Sequence, residues 1–507
     1  MKIKKYFLVR YISIFSLFTS LVVLAGAGEI KTFKDILAPI ERSHYKRVSS
    51  HQELINFISE VKVFAPWMTV ESIGKTVQGR DIPILRISKS LNPTDSKKLR
   101  VLIFSSQHGN EPSGKEALLL LLKSIVTSER AAWLENLELL IIPSVNPDGN
   151  ESGRRQNAND ADLNRSHLVL DQPESRALHR VFYQCLPEVT LDVHEFGAFN
   201  REWVSRGFVR AMDEQFGIPT NLNVSPAIID YASKELIPFL KNSLSQQNIR
   251  FFDYVIVDSP NDTVRHSTTS INDGRQSMAI LNTFAFILEG RNGKEFNDDL
   301  ERRTKGQYAA IEAFLQFASD RADEIRSLVQ RERTKLLASR DSVILQMDYL
   351  YRGEKISIPV NKLSSGKDSI VNLDYSSRPT PLLSVSRPQG YIIPGHELAL
   401  IEFLDRHGVQ YHRLQKEETY TVEAYVIRSI EKRRMEEKNT YIARVSSSKV
   451  NRLFSSGDVI VPLQQLHSTM LVIALEPESM WGLIQYDEFA HLRKIENKYP
   501  IYRILLQ

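Results

Sequence analysis

The chain has 507 residues, of which 42% are hydrophobic or aromatic and 25% are charged, a composition typical of two globular domains or of one large domain with an appendage. Its formal net charge of +4 equals the contribution of Lys2, Lys4, Lys5 and Arg10, so residues 28–507 are formally neutral. A neutral body argues against a function that depends on charge-driven binding to nucleic acid or to a membrane surface.

The first 27 residues have the pattern of a secretory signal peptide. A basic start, "KIKK", precedes the apolar run "YISIFSLFTSLVVL", and small residues occupy positions 25 and 27. We expect cleavage after Ala27, because an uncleaved anchor would need an apolar run of roughly 20 residues to span a membrane. Cys185 is the only cysteine, so the exported chain has no intramolecular disulfide and resembles a bacterial periplasmic protein. The predicted location is periplasmic or secreted, with no stable membrane span after cleavage.

Short apolar runs alternate with helical patterns along residues 28–340. Four of these runs have the length and continuous apolar character of buried strands, namely "RVLIFSS", "ELLIIPSV", "EVTLDVHE" and "FAFILEG". Helices are predicted over residues 115–128 and 173–184, and a serine before "HQELINFI" fits a helix N-cap. Buried strands that alternate with helices predict an α/β domain whose sheet is covered by helices on both faces.

The pattern changes near residue 341. Residues 301–342 are rich in charge and have a helical period, whereas short strands and glycine turns follow, among them "EKISIPV", "ETYTVEAYVI", "NTYIARV" and "GDVIVPL". We therefore predict an α/β domain over residues 28–340 and a smaller β-rich domain of unknown function over residues 341–507.

His108 and Glu111 directly follow the predicted strand "RVLIFSS" and precede a helical run. Open α/β sheets place ligands at the carboxyl ends of strands, and a spacing of three brings both side chains to one point at the start of a helix. An imidazole and a carboxylate suit Zn²⁺, which needs a third protein ligand and keeps one position for water. His194, at the end of "TLDVH", is the candidate. Each feature also has an ordinary alternative, a polar turn for the pair and a hydrogen-bonded histidine for His194.

The polar segment "NPDGNESGRRQNANDADLNRSH" follows the strand "ELLIIPSV" and is either a solvated loop or part of a site. Its cluster of Arg154, Arg155 and Arg165 favours an anionic partner. Glu289 ends the apolar strand "FAFILE". An acid in that position is either paired structurally or is an active-site base with a raised pKa.

Six motifs in this order resemble the M14 family of zinc metallocarboxypeptidases, of the carboxypeptidase A and carboxypeptidase N/E type. They read "HGNE", "NPDG", "RQN", "DLNR", "DVHEFG" and "FILEG", and the resemblance spans about residues 45–318. It implies a twisted mixed β-sheet flanked by helices. The segments "SRPQGYIIPG" and "ALEPESMWGLIQYDEF" resemble the C-terminal portion of a bacterial subset of such proteins, for which we know of no chemistry.

The resemblance also implies a role for each matching residue. His108, Glu111 and His194 correspond to the ligands of a single Zn²⁺ ion. Arg155 corresponds to the arginine that stabilises the oxyanion. Glu289 corresponds to the general base and acid, and the substrate's terminal carboxylate would be held by a further pair, Asn164 and Arg165.

The chain departs from the family where a mobile tyrosine is expected some twenty residues before the catalytic glutamate. Residues 267–288 contain no tyrosine; Tyr254 lies 35 positions before Glu289, and His266 lies 23 before it. The expected specificity pocket falls at "NDGRQ". We interpret Arg275 as a residue that binds an acidic or carboxylate-bearing substrate side chain, with a structural salt bridge to Asp273 as the equal alternative.

Three functions follow from this pattern. The first is a zinc carboxypeptidase acting on peptides, including peptidoglycan-derived peptides, with no nucleic-acid partner. The second is a zinc-dependent N-acyl amino acid deacylase of the aspartoacylase and succinylglutamate desuccinylase type, because 82 residues separate Glu111 from His194, fewer than in typical carboxypeptidases. The third is an inactive M14-like binding protein. "NPDG" and the export signal favour the peptidase, and the sequence does not predict an oligomeric state.

Overall fold

The structure, a computed structural model, describes residues 36–89, 97–261, 263–436, 438–496 and 498–505. The predicted signal peptide, residues 1–27, lies outside these ranges. Within them, no helix combines the length and the apolar character that a membrane crossing requires. Leu37–Gln507 forms one compact unit.

The described residues form helices and strands throughout the chain. The helices are α1 Pro39–Arg42, α2 His51–Val63, α3 Ser113–Thr127, α4 Pro147–Ser152, α5 Pro173–Cys185, α6 Arg201–Ser205, α7 Pro226–Tyr231, α8 Ile237–Gln246, α9 Gly274–Ala279, α10 Leu300–Asp320, α11 Ala322–Ala338, α12 Leu398–Arg406 and α13 Ser468–Leu475. The strands up to residue 291 are β1 Met68–Lys75, β2 Asp81–Ile87, β3 Leu99–Ser105, β4 Leu137–Ile142, β5 Val189–Phe196, β6 Phe208–Arg210, β7 Glu214–Gly217, β8 Phe251–Asp253, β9 Val264–Arg265 and β10 Phe284–Arg291. The later strands are β11 Val343–Asp348, β12 Glu354–Lys362, β13 Asp368–Ser376, β14 Thr380–Val385, β15 Gly390–Ile393, β16 His412–Arg413, β17 Glu418–Met435, β18 Lys438–Phe454, β19 Val459–Pro462 and β20 Tyr502–Ile504.

The main sheet has eight strands in the order β1-β2-β4-β3-β5-β10-β7-β8. Its central strands β4, β3, β5 and β10 are mutually parallel, and antiparallel strands flank them. These four are the strands predicted from the apolar runs, and β5 is buried along its whole length. Such continuous burial requires cover on both faces. The prediction of an α/β fold with a mixed sheet and flanking helices is confirmed.

Local signals explain where the helices begin and end. As the sequence predicted, Ser50 caps α2 by accepting a hydrogen bond from the Glu53 amide; the Glu53 carboxylate also accepts one from the Ser50 amide. The helical pattern over residues 301–342 forms two helices rather than one. They separate at Arg321, whose backbone (φ −117°, ψ 21°) is not helical.

Two strands after residue 341, β12 and β13, share a sheet with earlier strands. One sheet has the order β6-β12-β13-β9, so strands from residues 208–210 and 264–265 flank a hairpin from residues 354–376. A second sheet of six strands contains the long hairpin β17–β18. The β-rich character predicted for this region is confirmed. The domain boundary at residue 341 stays a prediction, and contacts across it are extensive.

Candidate active site

Three parallel strands bring the predicted site residues to one edge of the main sheet. β3 ends at Ser105, directly before His108 and Glu111. His194 lies near the end of β5, and Glu289 lies beside it in register on β10. Because parallel neighbours in register present their side chains on the same face, the alignment of β5 with β10 brings a carboxyl group to the side of His194.

The donor atoms of His108, Glu111 and His194 meet at one point. His108 Nδ1 lies 2.9 Å from Glu111 Oε1, His194 Nδ1 lies 3.0 Å from Glu111 Oε2, and the two Nδ1 atoms are 3.1 Å apart. All three side chains are buried. Tetrahedral zinc with bonds of about 2.1 Å separates its donors by about 3.4 Å, so this cluster is close to the spacing of a zinc site. Two neutral imidazoles and one carboxylate are also donors that zinc accepts.

The second nitrogen of each imidazole lies next to a carboxylate. His108 Nε2 lies 3.1 Å from Asp162 Oδ1, and His194 Nε2 lies 2.8 Å from Asp192 Oδ1. Carboxylates in this position fix the ring orientation and the tautomer of metal-binding histidines. Sequence reasoning missed both residues. Asp162 could have been found as the aspartate of the "DLNR" motif. Asp192 could have been found from the strand period, since it lies two residues before His194 and faces the same side.

The "HGNE" and "NPDG" motifs pack directly on each other. A Cβ on Gly109 would lie 2.0 Å from the backbone of Gly149, so a side chain at position 109 would push the two segments apart. Asn146 caps α4 by accepting a hydrogen bond from the Gly149 amide, and its Nδ2 donates to Gln107 O. These contacts set the backbone that leads to Arg155.

A cleft of about 260 Å³ opens beside the histidine–glutamate cluster. His108 and Glu111 lie on its wall, together with four more residues that the sequence singled out: Arg155, Asn164, Arg165 and Glu289. Arg155 donates to Glu111 Oε1 at 3.3 Å and to Asp162 Oδ2 at 3.0 Å. Asn164 is buried, whereas Arg165 is exposed, and the described residues give its guanidinium one acceptor, Asn164 O. The Arg165 guanidinium is therefore accessible to a ligand.

Burial raises the pKa of Glu289 to about 7, against the opposing effect of His194. The charge of a bound metal ion would act in the same direction as His194 and lower that pKa. A carboxyl group that titrates near neutral pH can both accept and donate a proton under physiological conditions.

Arg275 also lies on the cleft wall, but its side chain is buried. Its Nη2 donates to Ser267 Oγ at 2.6 Å and lies 3.6 Å from Asp273 Oδ2, while its guanidinium stacks on the ring of Tyr254. Its Nε has no hydrogen-bond partner among the described residues. The contact with Asp273 supports the structural alternative, and the position on the cleft wall supports the substrate-binding interpretation.

The two residues that could replace the family's mobile tyrosine, Tyr254 and His266, lie in different places relative to the cleft. Tyr254 lies on the cleft wall, whereas His266 hydrogen-bonds to Tyr375 of β13 and is not among the residues that line the cleft. Arg210 of β6 lines the cleft as well, and no sequence signal pointed to it.

Residues 55–180 match the family model described as zinc carboxypeptidase, Peptidase_M14. The chain therefore resembles the M14 zinc carboxypeptidases over these residues, about a quarter of its length. Its enzyme class is therefore that of the peptidases, which are hydrolases, and the family implies a zinc cofactor for which the described residues offer the cluster of His108, Glu111 and His194. This match favours the peptidase prediction over the deacylase alternative.

Curated relatives extend the likeness beyond the family model. Carboxypeptidase 2 of Trichophyton rubrum is 26% identical over 453 residues, covering 86% of this chain and 83% of that protein. The catalytic chain of human carboxypeptidase N is 28% identical over 150 residues, covering 26% of this chain and 32% of that protein. The longer alignment exceeds the 340 residues before the predicted boundary, so it includes part of the C-terminal region, and the relative is fungal rather than bacterial.

Solved structures of metallocarboxypeptidases also align with the chain. The enzyme from Burkholderia cenocepacia aligns with a TM-score of 0.42 at 17% identity, covering 54% of this chain and 71% of that one. Carboxypeptidase A of Helicoverpa armigera aligns with a TM-score of 0.42 at 19% identity, covering 55% and 75%.

Proposed function

We propose that the protein is a zinc-dependent metallocarboxypeptidase that hydrolyses the C-terminal peptide bond of its substrate. The observation that carries this proposal is the convergence of donor atoms from His108, Glu111 and His194 to within about 3 Å of one another, close to the donor spacing of a zinc site. Bound there, zinc would lower the pKa of a coordinated water and polarise the scissile carbonyl.

Glu289 is the proton carrier in this proposal. As a carboxylate it takes a proton from the attacking water, and as a carboxylic acid it gives that proton to the nitrogen of the leaving amine. Burial raises the pKa of Glu289, which favours proton uptake from the water, and the charge of bound zinc would lower that pKa, which favours release of the proton to the amine.

Arg155 stabilises the negative charge that develops on the carbonyl oxygen. Its guanidinium is half-buried on the cleft wall, beside Glu111, where such charge would form. One donor to an oxyanion contributes about 3 to 4 kcal/mol to transition-state binding in other hydrolases.

Asn164 and Arg165 hold the substrate's terminal carboxylate. The planar guanidinium of Arg165 offers two parallel donors, which match a carboxylate and which a lysine could not reproduce. Its exposure supports this role, since the ligand must reach it from solvent.

The experiment that tests the function measures metal and turnover together. Purified protein is analysed for zinc, and hydrolysis of an N-blocked dipeptide with a free C-terminus is followed before and after chelation and zinc return. An N-acyl amino acid serves as the comparison substrate. We expect about one zinc per chain and dipeptide hydrolysis that chelation abolishes. Hydrolysis of the N-acyl amino acid alone would support the deacylase, and retained zinc without turnover of either would support an inactive binding protein.

Arg275 selects acidic substrate side chains in this proposal. In Arg275→Ala we expect kcat/KM for a dipeptide ending in glutamate to fall about tenfold or more, with little change for one ending in leucine. Because this variant leaves Asp273 without its cation, Asp273→Asn is the matched control for the lost salt bridge. An equal fall for both dipeptides, or a fall of the same size in Asp273→Asn, would assign Arg275 to structure alone.

Export to the periplasm or outside the cell remains part of the proposal. The basic and apolar pattern of residues 1–27 supports it, and it makes peptidoglycan-derived peptides a candidate substrate class. Mass analysis of the exported protein should give a mature chain that starts at Gly28.

A further inference from the structure

The hairpin β17–β18 reaches from the C-terminal region to a segment, residues 265–269, that lies at the cleft wall. Its strands have 18 and 17 residues and pair along their whole length, from Glu418 with Phe454 to Met435 with Lys438. At about 3.4 Å per residue such a hairpin is roughly 60 Å long. Glu436 lies at its tip with a left-handed backbone (φ 44°) and is only 4% exposed. A charged residue buried at the end of a long hairpin needs a specific partner.

The partner of Glu436 is the segment of residues 265–269. Glu436 accepts hydrogen bonds from Thr268 Oγ1 at 2.8 Å and from the amide and Oγ1 of Thr269 at 2.9 and 2.6 Å. Arg265 Nη1 donates to the same carboxylate at 3.2 Å. Trp481 adds a second anchor from the C-terminal region, since its indole N–H donates to Thr269 Oγ1 at 3.1 Å. The carboxylate thus has donors for both oxygens, which offsets the cost of burying its charge.

The anchored segment leads directly into the cleft wall. Thr268 lines the cleft, and Ser267 Oγ accepts a hydrogen bond from Arg275 Nη2. Farther along, Asn272 accepts from the Leu168 amide at 2.7 Å and donates to Arg165 O at 2.5 Å.

The Gly274 amide completes the connection by donating to Asn164 Oδ1 at 2.8 Å. Residues 265–274 therefore contact Asn164, Arg165 and Arg275 on one side and Glu436 and Trp481 on the other.

We propose that Glu436 is a positioning residue for substrate binding, and that the hairpin tip fixes the segment that orients Asn164, Arg165 and Arg275. The proposal rests on the function proposed above and extends it to the C-terminal region. Among the described residues, Glu436 forms no hydrogen bond with His108, Glu111, His194 or Glu289. It therefore acts on substrate binding rather than on bond cleavage. In kinetic terms, loss of its contacts should raise KM more than it lowers kcat.

Glu436→Gln is the central variant. The amide keeps the size of the side chain but replaces one acceptor by an N–H₂ group, which cannot accept from Thr268 or Thr269. We expect KM for an N-blocked dipeptide to rise about tenfold, with kcat lowered less than about threefold and zinc content unchanged. Glu431→Gln, on the same hairpin but with a half-exposed side chain that pairs with Arg433, is the matched control and should behave as the wild type.

Hydrogen exchange supplies a readout that does not depend on turnover. The Thr269 amide donates to Glu436, so peptides that cover residues 264–276 should exchange faster in Glu436→Gln than in the wild type or in Glu431→Gln. A wild type that hydrolyses no dipeptide would overturn the proposed function. A wild type that is active, with an unchanged KM in Glu436→Gln or an equal change in Glu431→Gln, would overturn the positioning role alone.

Trp481→Phe decides the question if Glu436→Gln does not fold. This variant removes the indole N–H that reaches Thr269 and keeps an aromatic ring. We expect KM to rise about threefold with kcat retained. An unchanged KM together with unchanged exchange over residues 264–276 would contradict the proposal.

Discussion

At the scale of single residues, the candidate site consists of ionisable side chains. Their burial costs free energy unless each one is hydrogen-bonded or binds a ligand. His108, Glu111 and His194 turn their donors toward one point, while Asp162 and Asp192 lie behind the two imidazoles. Each carboxylate would orient a ring and raise its basicity as a ligand. The candidate site therefore includes Asp162 and Asp192 in addition to the three candidate ligands.

Replacement of Glu289 tests the proton carrier. Glu289→Gln keeps the shape of the side chain but cannot take up a proton, so we expect kcat to fall about a thousandfold. Zinc content should stay at the wild-type value, because the three candidate ligands lie elsewhere. Steady-state kinetics and metal analysis on the same preparation provide the measurement.

Glu214→Gln is the control for that variant. Glu214 lies on β7 beside Gly290 and is fully buried, and burial raises its pKa well above the ordinary value, so glutamine resembles its neutral form. We expect nearly wild-type kcat. The assignment of Glu289 fails if Glu289→Gln keeps a tenth of the activity, or if Glu214→Gln loses as much.

At the scale of elements, one buried ion pair joins a strand to two helices. Glu195 of β5 receives two hydrogen bonds from Arg303 of α10, from Nε at 2.7 Å and from Nη2 at 2.9 Å, and both side chains are at most 1% exposed. Glu195 Oε2 also accepts from the Ser113 amide at the start of α3. Because Glu195 follows His194 directly, this contact holds β5 against the helix that begins after Glu111.

Removal of Arg303 should destabilise the fold strongly. Arg303→Met leaves the Glu195 charge buried without its partner, and such changes cost about 3 to 5 kcal/mol of unfolding free energy. The double variant Glu195→Gln with Arg303→Met should recover part of that loss, since no lone charge remains. Urea unfolding in a common buffer measures all of them.

The neighbouring Arg302 supplies the control for this pair. Its side chain is about one-third exposed and lies 3.6 Å from Asp213, so Arg302→Met should change the unfolding free energy by less than about 1 kcal/mol. We expect the double variant Glu195→Gln with Arg303→Met to be more stable than Arg303→Met. If it were less stable, the lone charge of Glu195 would not be the cause of the loss in Arg303→Met.

At the scale of the whole molecule, a buried chain of histidines connects the main sheet with the C-terminal region. His167 contacts Gln107 and His179, and Tyr183 then joins His179 to His407, which directly follows α12. Burial lowers the pKa of His167 to about 4 and that of His407 to about 3, and it holds that of His179 well below the ordinary value. These groups remain neutral in the folded protein at pH values where the unfolded chain protonates them.

Stability should therefore fall in acid through these histidines. The unfolded chain binds protons below its ordinary histidine pKa of about 6.5, whereas the folded protein does not, so stability present above pH 6.5 is lost as the pH falls toward 4. Each histidine contributes a slope of up to about 1.4 kcal/mol per pH unit. Urea unfolding at pH 7.5, 6.5, 5.5 and 4.5 measures this slope.

His407→Gln identifies one contributor. The variant should lose stability at pH 7.5, where two hydrogen bonds of His407 are disturbed, and its pH dependence should be shallower by about one proton. His396→Gln is the control, because that side chain is 81% exposed. Equal slopes in the wild type and in His407→Gln would contradict the assignment.

Local chemistry in the sequence determined the strands, several helix starts and the candidate site. Continuous apolar runs predicted β3, β4, β5 and β10, and "HGNE", "DLNR" and "DVHEFG" located donors at strand ends, because parallel strands bring their carboxyl ends to one edge. Each of those signals is contained within a few consecutive residues.

Tertiary structure decided what depends on packing between distant segments. Glu436 lies 167 residues from Thr269 along the chain and contacts it only because the tip of a long hairpin reaches that segment. Arg210 reaches the cleft through β6, which pairs with β12 of the C-terminal region. No local period or motif encodes such a meeting, since its free energy comes from burial and hydrogen bonds that form only when the whole unit has assembled.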